Sequence, residues 1–285
     1  KCYEKLGNKV LALKFFNKTV HEDPLLDKGW IAITDFYVRQ KKYDKALPYL
    51  QAYRGKNGKW TNTDYYQLGY TYYQQKDYEK AITQFNKIIE GNDFVAQNAY
   101  YHLAESYLNT DKKQQALNAF KTASEMTFDT KIQEDAALNY TKLSYEIGNP
   151  YVSTPEILKA FMDKYPANPN NQELKSLLIN SFISSKNYTE ALVLLEKNKT
   201  PENKAAYQKV AFYRGLEVYT DGKYQDAYVL FKKSLTENKD SKITARATFW
   251  KGECEYSLDQ CSEAVLTYKQ FLNSASASET PENKT

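Results

Sequence analysis

The chain has 285 residues, 42% hydrophobic and 26% charged, with only 10 glycines and 8 prolines, too little turn material for an all-β fold. Lys and Arg number 39 against 35 acids, a formal charge of +4 with no long run of one sign, so capture of nucleic acid by charge is not implied. The longest apolar stretches, such as Leu192 to Leu195 and Val210 to Phe212, fall far short of the roughly 20 residues that span a bilayer, so no membrane insertion is expected.

One small residue recurs at a nearly fixed period: Ala12, Ala46, Ala81, Ala116, Ala191, Ala227 and Ala264, with Thr154 in the one gap and spacings from 34 to 38 residues. Four residues after each stands a large apolar or aromatic group, Phe16, Leu50, Phe85, Phe120, Leu158, Leu195, Phe231 and Tyr268. Nine before it stand Tyr3, Tyr37, Tyr72, Tyr107, Tyr145 and Phe182, then Val218 and the misfit Glu255, whose neighbour Tyr256 is an aromatic substitute. Such a period predicts stacked supersecondary units, none able to bury its apolar face alone.

In chain order, the first copy (about 1–26) has only eleven residues ahead of Ala12, so most of its first helix is expected to be missing. The second (27–60) carries Trp30, Tyr37, Tyr43 and Ala46 and ends in Arg54–Trp60, whose glycines have the wrong spacing for a phosphate loop and whose Trp60 replaces a metal-binding hydroxyl. An inter-repeat turn is the expectation there. In the third (61–95), Tyr65 to Gln75 and Tyr78 to Glu90 carry apolar residues three and four apart, two helices parted by the polar step Lys76-Asp77. The fourth (96–130) places His102 three residues before Glu105; a solvated or groove-lining histidine is the expectation, not an acid–base pair.

The fifth copy (131–168) is the weakest, with Lys142 and Thr154 at positions elsewhere small. The sixth (169–200), seventh (201–239) and eighth (240–273) return to the pattern with Tyr188, Gly215, Tyr224 and Gly252 in register. Residues 274–285 read as a tail or the start of a further repeat, because Thr280-Pro281-Glu282-Asn283-Lys284 duplicates Thr200-Pro201-Glu202-Asn203-Lys204, good helix N-terminal chemistry. The expected parent is longer than this chain.

The stretch from Tyr65 to Tyr72, with Asp77-Tyr78-Glu79-Lys80-Ala81 and Phe85, resembles the tetratricopeptide repeat consensus, as do Trp30, Tyr37, Ala46 and Leu50, and Tyr100, Leu103, Ala104, Tyr107, Ala116 and Phe120. The resemblance implies an all-α fold, a right-handed α-α superhelix of about eight helix-turn-helix repeats forming a single solenoid over 1–273. It implies a protein or peptide partner in a concave groove lined by the first helix of each pair. The matching residues are Tyr66, Tyr70 and Tyr73, Tyr101 and Glu105, and Phe212 and Tyr219. Tyrosines suit such a groove, although at helical spacing they serve as core equally well. Recognition of a chaperone's terminal carboxylate is not expected, because the matching places hold mostly Tyr, Asp35 and Glu105.

No catalytic residue, metal site or cofactor is expected: Cys2, Cys254 and Cys261 form neither a CxxC pair nor a Cys/His cluster. The glycosylation triplets at Asn17, Asn139, Asn187 and Asn198 are read as products of an Asn- and Lys-rich composition. The expectation is a non-enzymatic interaction scaffold. Its Lys, Asn and Tyr usage and its Asp163-Lys164-Tyr165-Pro166 ending resemble bacterial repeat proteins of the periplasm and outer membrane. A cytoplasmic adaptor, or part of a larger enzyme or signalling protein, stays open, and RNA binding by related helical repeats is disfavoured by the balanced charge.

Overall fold

The computed structural model describes residues 7–22, 27–53, 55, 58–88, 90–198 and 200–284, with the side chains of 19–22, 27, 28, 283 and 284 left out. Cys2, Tyr3, Leu6, Pro24, Arg54, Lys56 and Asn57 lie outside the described residues, as does the side chain of His21.

The fold is all-α, with fifteen α-helices among the described residues. Helix α1 (Lys9–Glu22) stands first, and fourteen helices follow it, six successive couples of them helix-turn-helix pairs. The first three pairs are α2 (Asp27–Arg39) with α3 (Tyr43–Ala52), α4 (Asn62–Gln74) with α5 (Tyr78–Phe85), and α6 (Phe94–Asn109) with α7 (Lys113–Glu125); α8 (Thr130–Ile147) and α9 (Thr154–Lys164) come next in the chain. Then come α10 (Asn171–Ser184) with α11 (Tyr188–Lys197), α12 (Lys204–Thr220) with α13 (Tyr224–Leu235), and α14 (Ser241–Ser257) with α15 (Cys261–Leu272).

One turn geometry joins the helices of six pairs. Lys41, Lys76, Asp111, Lys186, Gly222 and Asp259 all hold left-handed φ values between 56° and 75°, although only one of them is glycine. Each follows a first helix and lets two amides turn back onto its last carbonyls: Lys76 N donates to Tyr73 O at 2.9 Å and Asp77 N to Tyr72 O at 3.0 Å. The same two bonds recur at Lys41 and Lys42, Asp111 and Lys112, and Lys186 and Asn187, closing the helix ends as a Schellman motif does. The chain thus reverses within a few residues, and the two helices run antiparallel. Lys80 reaches the ring of Tyr72 beside the turn, and Phe85 meets Gly69 one step further out.

The periodic residues form the contact between paired helices. Ala46, Ala81, Ala116, Ala191 and Ala227 are completely buried, and Phe85, Phe120 and Phe231 are buried beside them. A Cβ built on Gly69 would stand 2.7 Å from the Phe85 ring, and one on Gly215 an equal 2.7 Å from Phe231, so a missing side chain sets how closely these helices approach.

The chain divides into two compact units within the fifth copy: residues 1–153 with 163–165, and 154–162 with 166–285. The turn of that copy differs from the other six. Gly148 takes the left-handed conformation at φ 79°, and Asn149 Oδ1 then accepts from the amides of Tyr151 and Val152, so the connection to α9 is longer. Tyr151, aligned by sequence with the packed aromatics of other copies, is 84% exposed. Thr154 is likewise displaced from the alanine register: it opens α9, whereas the repeat alanines stand three residues inside their helices, a place held in α9 by the buried Ile157.

The loop before α4 is an inter-repeat turn in which Trp60 packs between Tyr53 and Tyr65, with ring centroids 5.9 and 5.2 Å away. Cys254 is a buried free thiol and Cys261 an exposed one. No helix among the described residues is long and apolar enough to cross a membrane.

Candidate functional site

In the first unit, Tyr66, Tyr70 and Tyr73 project from α4 at intervals of four and three residues, which places them on one helical face. Their rings stack in sequence, with centroids 5.9 Å apart for Tyr66 and Tyr70 and 6.1 Å for Tyr70 and Tyr73. Tyr43, from the start of α3, meets Tyr70 edge-on.

His102 of α6 faces this row. Its ring lies 5.0 Å from both Tyr70 and Tyr73, 5.4 Å from Tyr101 and 6.2 Å from Tyr66, with Phe85 beneath at 6.3 Å. Its Nδ1 stands 2.8 Å from Oε2 of Glu105, one helical turn further along α6. Tyr101 donates its hydroxyl to Oδ2 of Asp135 on α8, which carries the cluster onto a third helix. Nearby, Gln67 Nε2 donates to Oδ1 of Asp35 at 3.3 Å.

The electrostatics follow from this packing. Burial pushes the Tyr66 phenol above its ordinary value, and the neighbouring Tyr70 and Glu105 add to the effect. Tyr73 is raised by burial and then by Glu105; Tyr101 is raised by burial, then by its bond to Asp135 and the charge of Glu105. These phenols therefore keep their protons near neutrality and act as donors beside carboxylates. Tyr66, Tyr70, Tyr73, Tyr101, His102 and Glu105 are all half-buried, so the cluster is an open face with aromatic walls and acidic edges. Among the described residues, no group of three or more His, Cys, Asp or Glu side chains is placed to hold a metal ion.

Five of the residues singled out by sequence, Tyr66, Tyr70, Tyr73, Tyr101 and Glu105, thus lie together. Phe212 and Tyr219 belong to the second unit, and the groove role expected for Phe212 is corrected: it is completely buried, with Phe231 6.0 Å away and the Arg246 guanidinium over its ring. Tyr219 is half-buried against Trp250 at 5.0 Å and Tyr224 at 5.1 Å, with its hydroxyl 3.2 Å from Ser257 Oγ.

Sequence reading passed over Asp135 and gave His102 no central place. The signal for Asp135 was one repeat of spacing from Tyr101, 34 residues. It also passed over Arg246 and Trp250 of α14, whose Nε and Nε1 both donate to Glu282 Oε1, at 2.8 and 2.9 Å. That contact depends on how the C-terminal segment folds back, which no local pattern encodes.

Residues 39–123 match the family model described as anaphase-promoting complex, cyclosome, subunit 3. No curated protein matches the chain in sequence. Among solved structures, the chain is similar to Naa15/Naa10 bound to HypK-THB, at 14% identity and a TM-score of 0.50, covering 87% of this chain and 36% of that one. It is also similar to a tetratricopeptide repeat protein from Parabacteroides merdae, at 18% identity over 86% of this chain and 93% of that one, with a TM-score of 0.46. A third is the TPR2AB domain of yeast Sti1 in complex with pHSP90, at 14% identity over 90% of this chain and 96% of that one, with a TM-score of 0.46. Helix pairs recur in the register of the small and aromatic residues, and the family match falls within the second to fourth copies, so the chain is an all-α protein of repeated helix pairs, similar in fold to proteins of tetratricopeptide-type repeats.

Proposed function

We propose that this chain is a non-enzymatic scaffold that holds a peptide or protein partner against the aromatic face of its first unit. The observation that carries the reading is the convergence of Tyr66, Tyr70, Tyr73, Tyr101 and His102 from two first helices onto one half-buried surface, with Asp135 added from a third. Aromatic rings offer large contact area for little lost rotamer freedom, and half-burial leaves part of each ring to a ligand. Tetratricopeptide-type repeats bind proteins and peptides on the surfaces their stacked helices present. The partner is read as protein because the balanced charge of +4 supplies little of the phosphate neutralisation on which nucleic-acid affinity depends.

Affinity capture from the parent organism tests this reading, with the wild-type chain compared with a Tyr73→Ala/Tyr101→Ala variant of matched thermal stability. A partner retained by the wild type and lost by the variant is the expected result; an identical set of captured proteins removes the groove as the docking face. We place the scaffold in a bacterial cell envelope, a reading supported by the Lys-, Asn- and Tyr-rich composition and the Asp163-to-Pro166 repeat ending. Fractionation of cells that produce the protein decides between that compartment and the cytoplasm.

A further inference from the structure

The aromatic face has an acidic side that bears on what it binds. Glu105 and Asp135 come from successive first helices, and each is held by a groove side chain, Glu105 by His102 at 2.8 Å and Asp135 by the hydroxyl of Tyr101. Glu105 stands four residues after Tyr101 on the same face of α6, and Asp135 accepts from the Tyr101 hydroxyl, so both carboxylates lie beside that side chain. A phenol hydrogen bond orients a carboxylate without cancelling its charge.

A ligand that covers this face takes the two carboxylates out of water. An apolar segment would leave their charge uncompensated away from water, and an acidic one would add repulsion. A cationic side chain relieves both. Its methylene stem also lies well along tyrosine rings, and its charged head is attracted to their faces.

We propose that the groove of the first unit binds an extended peptide segment of its partner through a lysine or arginine, with the cation at Glu105 and Asp135 and the stem against Tyr73 and Tyr101. This rests on the reading of that face as the docking surface. Charge complementarity selects the occupant.

The test is fluorescence anisotropy on the whole chain with three labelled extended peptides, in which alanine alternates with lysine, with glutamate or with serine. The lysine peptide is expected to bind, and the glutamate and serine peptides to bind at least about tenfold more weakly. The Glu105→Gln/Asp135→Asn variant, which preserves shape and hydrogen-bonding capacity, is expected to lose about tenfold in affinity for the lysine peptide. Should that variant melt early, the single Asp135→Asn change at an exposed carboxylate carries the measurement. Equal binding of the lysine and serine peptides, both weakened by Tyr73→Ala, overturns the cationic assignment and leaves the groove as a docking face. Lysine-peptide binding that neither the charge variants nor Tyr73→Ala weakens overturns the assignment by placing the peptide elsewhere. Absence of binding by all three peptides overturns it as well, while partner capture lost on Tyr73→Ala/Tyr101→Ala would still support the groove.

Discussion

Gln97 and Gln208 carry out the same task in the two units, each a completely buried amide near the start of a first helix that ties down the entry to the next repeat. Gln97 Oε1 accepts from the amide of Asp129 at 2.7 Å while its Nε2 donates to the carbonyls of Ala123, Met126 and Asp129. Gln208 Oε1 accepts from the amides of Lys239 and Asp240, both at 2.8 Å, and its Nε2 donates to the Asp240 carbonyl and Thr244 Oγ1. Asp129 and Asp240 in turn cap α8 and α14. One side chain therefore satisfies several backbone groups that would otherwise be buried without partners.

Replacement of Gln97 by Leu is expected to destabilise the first unit by about 2–3 kcal/mol, because carbonyls and an amide lose their partner in a dry site. Urea unfolding measures the loss. Hydrogen exchange adds a local readout: the Asp129 amide, protected in the wild type, should exchange faster in the variant, and unchanged protection would show that the loop is held by other means.

Lys76→Gly and Lys186→Gly are expected to raise stability by about 0.5–1 kcal/mol each. Both lysines hold a left-handed conformation, φ 62° and 59°, that a Cβ disfavours, and both are exposed. Gly222 already occupies the same place in the seventh copy. A fall in the thermal midpoint would mean that the greater freedom of glycine in the unfolded chain outweighs the relief.

At Gly69, a larger side chain must displace Phe85, which is only 1% exposed and has nowhere to go. Gly69→Val is expected to cost about 1–3 kcal/mol by overpacking. Gly69→Ala should cost less than Gly69→Val, since the gain in helix propensity, about 1 kcal/mol, offsets part of the clash between its Cβ and the Phe85 ring. Denaturation of both variants side by side separates size from backbone effects.

The pH dependence has a definite sign. Burial, and then the charges of Glu255 and Glu253, push the Cys254 thiol up to about 12, and the phenols of Tyr66, Tyr73, Tyr101 and Tyr268 are raised as well, chiefly by burial. Raised acids keep their protons in the folded state where the unfolded chain releases them. Their contribution is complete below the unfolded values, about 8.5 for a thiol and 10 for a phenol, and is lost as pH rises through the folded ones. Urea midpoints should show no loss from these groups between neutrality and pH about 8, then fall in alkali. Iodoacetamide at pH about 8 should label the exposed Cys261 and spare Cys254 until the protein is unfolded, which peptide mapping detects.

The helix pairs and most of their packing were legible in the sequence because period and register are local properties. A small residue beside a large one, repeated along the chain, allows one solution for two antiparallel helices. Tyr66, Tyr70 and Tyr73 could be placed on one face for the same reason. The fifth copy was misaligned because its longer turn after Gly148 shifts α9, so that Ile157 rather than Thr154 stands where the alanines stand, and an alignment by spacing cannot see an insertion in a turn.

What the sequence by itself determined is therefore the repeated hairpin, its aromatic and small positions, and the side chains on each first helix. Tertiary structure alone decided which of those side chains meet. His102 entered the centre of the tyrosine row and Asp135 reached Tyr101 across helices, while Phe212, at the position matching Tyr66 and Tyr101, was sealed in its core by Phe231 and Arg246. The reason is that exposure along a repeat face depends on the neighbours contributed by adjacent repeats, and those neighbours differ from copy to copy.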